Sequence, residues 1–168
     1  MKNKIKLRII GIDPSLSNTG WGIVDFDRTT NTISFVADGT ITTDTKTNLQ
    51  TRLHEIHTQI TTVIEKYQPS DCAMEESFVN VNARTSLKMG MARGAITLSF
   101  ALQNIPVSEY TPTMIKQAVS GSGRADKNQV SSMVRILLPT CKQPHSEHSS
   151  DALAIAIAHI NSQTYKNL

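Results

Sequence analysis

Three carboxylates and one imidazole stand in this 168-residue chain where the surrounding patterns would carry them toward a single point: Asp13, Glu75, His148 and Asp151. Asp13 closes the apolar run Leu7-Arg8-Ile9-Ile10-Gly11-Ile12, and Glu75 ends the strand-like stretch Asp71-Cys72-Ala73-Met74-Glu75. His148 and Asp151 are three apart in a C-terminal segment of helical pattern, so they share one face of that helix. An oxygen-rich set of this kind suits hard divalent cations such as Mg²⁺ or Mn²⁺. Two such ions about 3.5–4 Å apart can clamp an in-line displacement at phosphorus. The chemistry predicted is therefore hydrolysis of a phosphodiester. Two neighbours compete for these roles. Glu76 adjoins Glu75, and because alternate strand residues face opposite ways only one of them can point into the site. His145 precedes His148, and the three-residue spacing to Asp151 favours His148. Taken singly, Asp13-Pro14 is also an ordinary turn opener, and Asp151 also suits the positive end of a helix.

The elements that must position these groups are readable from periodicity. Leu7–Asp13 alternates as a strand and is stopped by Pro14. Trp21–Phe26 and Thr32–Val36 flank Asp27–Asn31 as a hairpin. Leu49, Leu53, Ile56, Ile60, Val63, Ile64 and Tyr67 recur at helical spacing until Gln68-Pro69. Asp71–Phe78 reads as a short buried strand, Ala83–Asn104 as a helix and Pro106–Tyr110 as a strand. Gln129–Leu138 is predicted helical behind a capping-box sequence, Asp126-Lys127-Asn128-Gln129. The last helix is expected from about Glu147 to His159. Three antiparallel strands followed by helix, strand, helix, strand and helices make an α/β plan with parallel strands after the crossovers. The ribonuclease H-like fold has this order, with a mixed five-stranded sheet flanked by helices. It places carboxylates on its first and fourth strands and on its terminal helix.

Size and composition are consistent with that plan. The length fits a single domain over residues 1–168. A hydrophobic content of 39% with 18% charged residues is that of a globular protein. The longest apolar run, Ala152–Ala158, is far too short for a membrane span. Cys72 and Cys141 lack metal-site spacing and are predicted to be buried reduced thiols, which points to the cytoplasm. The net charge is only +3, but residues 77–144 hold eight Lys and Arg against two acids. A basic middle beside an acidic site suits a protein that grips a polyanion around a metal centre.

Several segments, in order, carry a family resemblance: Gly11-Ile12-Asp13-Pro14 with Thr19-Gly20-Trp21-Gly22; Ala73-Met74-Glu75 with Phe78; Ser86-Leu87-Lys88-Met89-Gly90-Met91-Ala92-Arg93-Gly94; and Asp151-Ala152-Leu153-Ala154-Ile155-Ala156. Lys116-Gln117-Ala118-Val119 through Gly121-Ser122-Gly123 to Lys127 matches the same family's basic loop region. Over about residues 7–160 the chain resembles the RuvC-type Holliday-junction resolvases, which are crossover junction endodeoxyribonucleases. Two departures stand out: Ser15 where the family usually has Gly, and His148 where an aspartate is common.

The resemblance implies a homodimer acting on four-way DNA junctions, and a RuvA–RuvB branch-migration complex is a further partner to test. It selects Glu75 over Glu76. It makes Asp13 the ligand shared by two Mg²⁺ or Mn²⁺ ions, Glu75 and Asp151 outer ligands, and His148 a ligand or a base toward the attacking water. The products would carry 5′-phosphate and 3′-hydroxyl ends. Imidazole favours Mn²⁺, so Mn²⁺ should support the faster reaction. Phe78 is either a core aromatic or, by its family position, a wedge against an unpaired base. Arg84, Lys88 and Arg93 would track DNA backbone, and Lys116, Arg124 and Lys127 would wrap phosphates in or beside a Gly121–Gly123 loop. Gly90 and Gly94 imply a close contact, either with the sheet beneath or with a partner helix. Competing readings are an actin-like phosphate loop, which needs two such domains, a related nuclease acting on another branched DNA or RNA, and a non-catalytic junction-binding module.

Overall fold

The chain is described by a computed structural model over residues 5–76 and 82–166. β1 (Lys6–Asp13), β2 (Asn18–Asp27) and β3 (Thr32–Thr42) form an antiparallel meander, followed by α1 (Leu49–Tyr67), β4 (Asp71–Glu75), α2 (Ala83–Leu102) and β5 (Val107–Tyr110). α3 (Pro112–Ser120), α4 (Lys127–Leu137) and α5 (Glu147–Lys166) complete it. The sheet order is β3-β2-β1-β4-β5, with β4 parallel to both β1 and β5. This is the mixed five-stranded α/β sheet that the element order predicts.

Strand alternation sends Ile10, Ile12, Ile23, Cys72 and Met74 into a core with Ile56, Ile60, Ile64, Ile96 and Phe100 of α1 and α2. Ile9, Val24 and Ala73 turn the other way, toward the apolar faces of α3, α4 and α5. Gly11 and Asp13 have the parity of Ile9, and Glu75 that of Ala73, so the two acids emerge on the α5 side of the sheet. Cys72 and Cys141 are both free and buried.

Several boundaries differ from the sequence reading. β3 runs to Thr42 rather than Val36, through Asp38 and Gly39, which are poor strand formers. Pairing with β2 overrides that preference, and the Trp21 ring lies where a side chain on Gly39 would be. The register also shifts beside Ile23/Val24, a bulge that periodicity did not signal. β4 ends at Glu75, with Glu76 already outside it; the remainder of the strand expected to Phe78 lies outside the described residues. α4 begins at Lys127, two residues earlier than expected, behind the predicted Asp126–Gln129 capping box. α5 continues past His159 to Lys166. α3 is a helix the sequence reading did not delimit, and Lys116 lies on it, beside the expected Gly121–Gly123 loop. Thr111 caps this helix, Pro112 opens it and Gly121, at φ 75°, closes it. Ile115 and Val119, four apart and both buried, form its inward face.

Candidate active site

The site forms where β1 and β4 end beneath the start of α5. Its closeness begins with glycine. A Cβ on Gly11 would lie 1.9 Å from the Ala152 carbonyl oxygen, and one on Gly20 would lie 2.1 Å from that of His148. Gly20 pairs directly with Asp13 across β1 and β2. Bare backbone at these points lets α5 rest on the sheet, and His148 Nδ1 then comes within 2.9 Å of Asp13 Oδ2.

The start of α5 is pinned from β3. Asp38 Oδ2 accepts the His145 backbone N–H at 2.5 Å and the Ser149 hydroxyl at 2.6 Å, while Thr40 and Ser146 hydroxyls meet at 2.5 Å. The turn after Asp13 is held by Arg52 of α1, whose guanidinium donates to the Thr43 and Ser17 hydroxyls and to the Leu16 carbonyl. Ser15 takes part in the same turn: its hydroxyl accepts the Ser17 and Asn18 N–H groups, and its carbonyl accepts the Thr19 hydroxyl. Ser15 is not among the described residues with positive φ, so the turn does not need the family's glycine there. The sequence reading missed Asp38, Thr40 and Arg52, because each acts on elements remote in the chain.

Burial and mutual repulsion set the electrostatics. Burial pushes the Asp13 carboxyl above its ordinary pKa; the His148 bond opposes this and the Asp151 charge adds to it. Glu75 is raised by burial and then by the charges of Asp13 and Asp151, so the three carboxylates face a common space. Glu76 is exposed on the opposite parity. Asp151 is raised by burial, against the pull of Lys127. Lys127 Nζ lies 3.1 Å from Asp151 and 2.6 Å from Glu147. Burial alone would lower the Lys127 pKa, but hydrogen bonds to these two acids outweigh it and hold the ammonium charged.

Among the described residues no three His, Cys, Asp or Glu side chains are gathered tightly enough to hold an ion as they stand. The donor set nonetheless suits a hard divalent cation: the carboxylates repel one another, and an ammonium already rests on one of them. A cleft of about 230 Å³ is lined by Glu75, Asp151, Lys116 and Lys127 together with Pro112 and Ile115. A second groove shares Lys127 and Asp151 and adds His145, the rival weighed against His148, together with Arg135 and Lys142, which the sequence reading had not singled out as site residues. Arg84, Lys88 and Arg124 are exposed. Phe78 lies outside the described residues. Arg93 departs from expectation: its guanidinium turns inward to the Glu75 carbonyl oxygen and to Glu109 Oε1.

A sheet of this order, with acids at the ends of its first and fourth strands and on its last helix, is the ribonuclease H-like fold. The family model described as "Crossover junction endodeoxyribonuclease RuvC" matches residues 9–159, and the chain belongs to that family. A relative named crossover junction endodeoxyribonuclease RuvC, from Paramagnetospirillum magneticum, is 46% identical over 153 residues, covering 91% of this chain and 90% of its own. The solved structure of Thermus thermophilus RuvC in complex with Holliday junction substrate superposes with a TM-score of 0.88 at 29% identity, covering 95% of this chain and 96% of that one. The yeast mitochondrial Holliday junction resolvase Ydc2 shares the fold, with a TM-score of 0.68 at 12% identity, over 93% of this chain and 78% of its own. Dependence on divalent metal accompanies this family. Among the described residues no helix is long and apolar enough to cross a membrane.

Proposed function

We propose that this chain is a single-domain, structure-selective endonuclease. It resolves four-way DNA junctions by paired, symmetric hydrolysis, leaving 5′-phosphate and 3′-hydroxyl ends. The observation that carries the reading is the convergence of Asp13, Glu75 and Asp151, with His148 on Asp13, beside a cleft that also receives Lys116 and Lys127.

Asp13, Glu75 and Asp151 would hold two divalent ions, Mn²⁺ in preference to Mg²⁺, with His148 as a further ligand or a base. When bound, such ions supply the charge that activates a water and stabilises the departing 3′-oxygen. The protein does the rest. Three carboxylates and one phosphate carry about four negative charges, which two divalent ions balance with the imidazole neutral. With Asp13 ionised, His148 Nδ1–H donates to Oδ2, leaving Nε2 as the nitrogen open to a proton or an ion. Lys116 and Lys127 line the path of the scissile strand, and exposed Arg84, Lys88 and Arg124 extend the cationic surface toward flanking backbone. Phe78, by its family position, would stack on an unpaired base, a contact worth about 1–3 kcal/mol.

Two symmetric cuts call for two matched sites, which a two-fold homodimer supplies. The outer face of α2 supports this: Leu87, Met91, Leu98 and Leu102 are 40–63% exposed, and nothing lies within 4 Å of a Cβ built on Gly90 or Gly94. The glycines thus favour a partner helix over the sheet beneath. Free thiols fit a cytoplasmic setting, and a RuvA–RuvB motor is a partner to test by its effect on cutting.

The direct test is a synthetic mobile junction incubated with Mn²⁺, with the nicks mapped on all four strands. Paired nicks at symmetric positions are expected. Faster cleavage of ribosomal RNA precursors or of another branched DNA would replace the junction as substrate.

A further inference from the structure

Glu75 is the last residue of β4, where a strand would ordinarily fray, yet the peptide joining it to Glu76 is held on both edges. The Glu76 N–H donates to the Tyr110 carbonyl at 2.8 Å. On the other edge, Arg93 Nη1 donates to the Glu75 carbonyl oxygen. The other terminal nitrogen of Arg93 reaches Glu109 Oε1 at 2.6 Å, and Glu109 pairs with Met74 across β4 and β5. The Arg93 side chain is only 14% exposed. A guanidinium from α2 thus ties the ends of two parallel strands together at the residue whose carboxylate enters the site.

We infer that Arg93 is a positioning residue, a clamp that fixes the backbone of Glu75 and thereby aims its carboxylate, rather than a contact to DNA. The planar fork is what the task requires, because one group must satisfy a carbonyl and a carboxylate in a set geometry; a lysine ammonium is a single point charge. Aim matters because a ligand displaced by about 0.5 Å leaves the productive geometry. The inference rests on the junction-cleaving reading for its affinity and kinetic arms, and not for the calorimetry.

The experiment compares the wild type with Arg93→Ala, Arg93→Lys and Glu109→Ala. Its readouts are junction affinity across a salt series without divalent metal, single-turnover cleavage at saturating junction, and Mn²⁺ affinity of the DNA-free protein by calorimetry. A clamp predicts that all three variants lose about 10–100-fold in Mn²⁺ affinity or cleavage rate. Their junction affinity should stay within about twofold of wild type, with an unchanged salt slope. A phosphate contact predicts the reverse: Arg93→Ala lowers the salt slope by about 1, Arg93→Lys behaves as wild type, and Glu109→Ala binds junction more tightly. Any of those three results overturns the clamp, as do normal Mn²⁺ affinity and cleavage in Arg93→Lys and Glu109→Ala, the two variants that decide the question should Arg93→Ala fail to fold. A wild type that cuts no junction would refute the proposed function, while the calorimetry would still judge the clamp.

Discussion

The carboxylates of Asp13, Glu75 and Asp151 are held at a cost to the metal-free fold. Burial comes first for each, and the Asp13 and Asp151 charges add to it at Glu75. An acid whose folded-state pKa is raised binds more protons folded than unfolded, so stability falls as pH climbs from the ordinary carboxylate value, about 4, through the raised one. Above that window the penalty is complete. In chelator at neutral pH, Asp13→Asn and Asp151→Asn should therefore melt higher than wild type, by about 2–4 °C per kcal/mol relieved. Added Mn²⁺ should narrow the gap by stabilising the wild type. The same substitutions, and Glu75→Gln, should reduce cleavage by more than about 100-fold while junction binding stays measurable by gel shift. An Asp13→Asn protein that still cuts would remove this residue from the site. His148 carries a separate expectation. Wild type should cut faster with Mn²⁺ than with Mg²⁺, and His148→Ala should bring the two rates together; an unchanged ratio in initial-rate assays would exclude the imidazole as a ligand.

At the scale of elements, what decides the site is how closely α5 can approach the sheet. Gly11 meets α5 backbone directly, so a methyl group there has no side chain to push aside. Gly11→Ala should cost about 1–3 kcal/mol, as overpacking does, measurable by urea unfolding. It should also slow cleavage well beyond what the loss of stability explains, because the helix that shifts carries His148 and Asp151. Near-normal cleavage in a destabilised protein would show that the seating of α5 is not critical. Asp38 and Arg52 belong to the same scale. One anchors the start of α5, the other the turn after Asp13.

For the whole molecule, the question is how one site becomes two coordinated ones. In the proposed homodimer, the exposed α2 stripe would be the surface that a second copy buries. Leu98→Glu places a charge in that stripe and should shift sedimentation from dimer to monomer. It should leave the fold intact by circular dichroism and convert paired cuts into single nicks. A variant that remains dimeric would move the interface elsewhere on the molecule.

The pattern of apolar residues was enough to determine the α/β plan, the hairpin and the parallel crossovers, and strand alternation required Glu75 and Glu76 to face opposite ways, because strand and helix periods are local properties of the chain. The capping box before α4 was legible for the same reason. Family motifs then singled out Asp13, Glu75, His148 and Asp151. What periodicity could not reveal is long-range. The bond from His148 to Asp13 spans 135 positions, and that between Ser149 and Asp38 spans 111. The inward turn of Arg93, the ammonium of Lys127 on Asp151 and the extension of β3 through Asp38 and Gly39 likewise depend on which surfaces pack together. Only the tertiary structure decides such contacts, since their energy comes from groups that meet after the chain has folded.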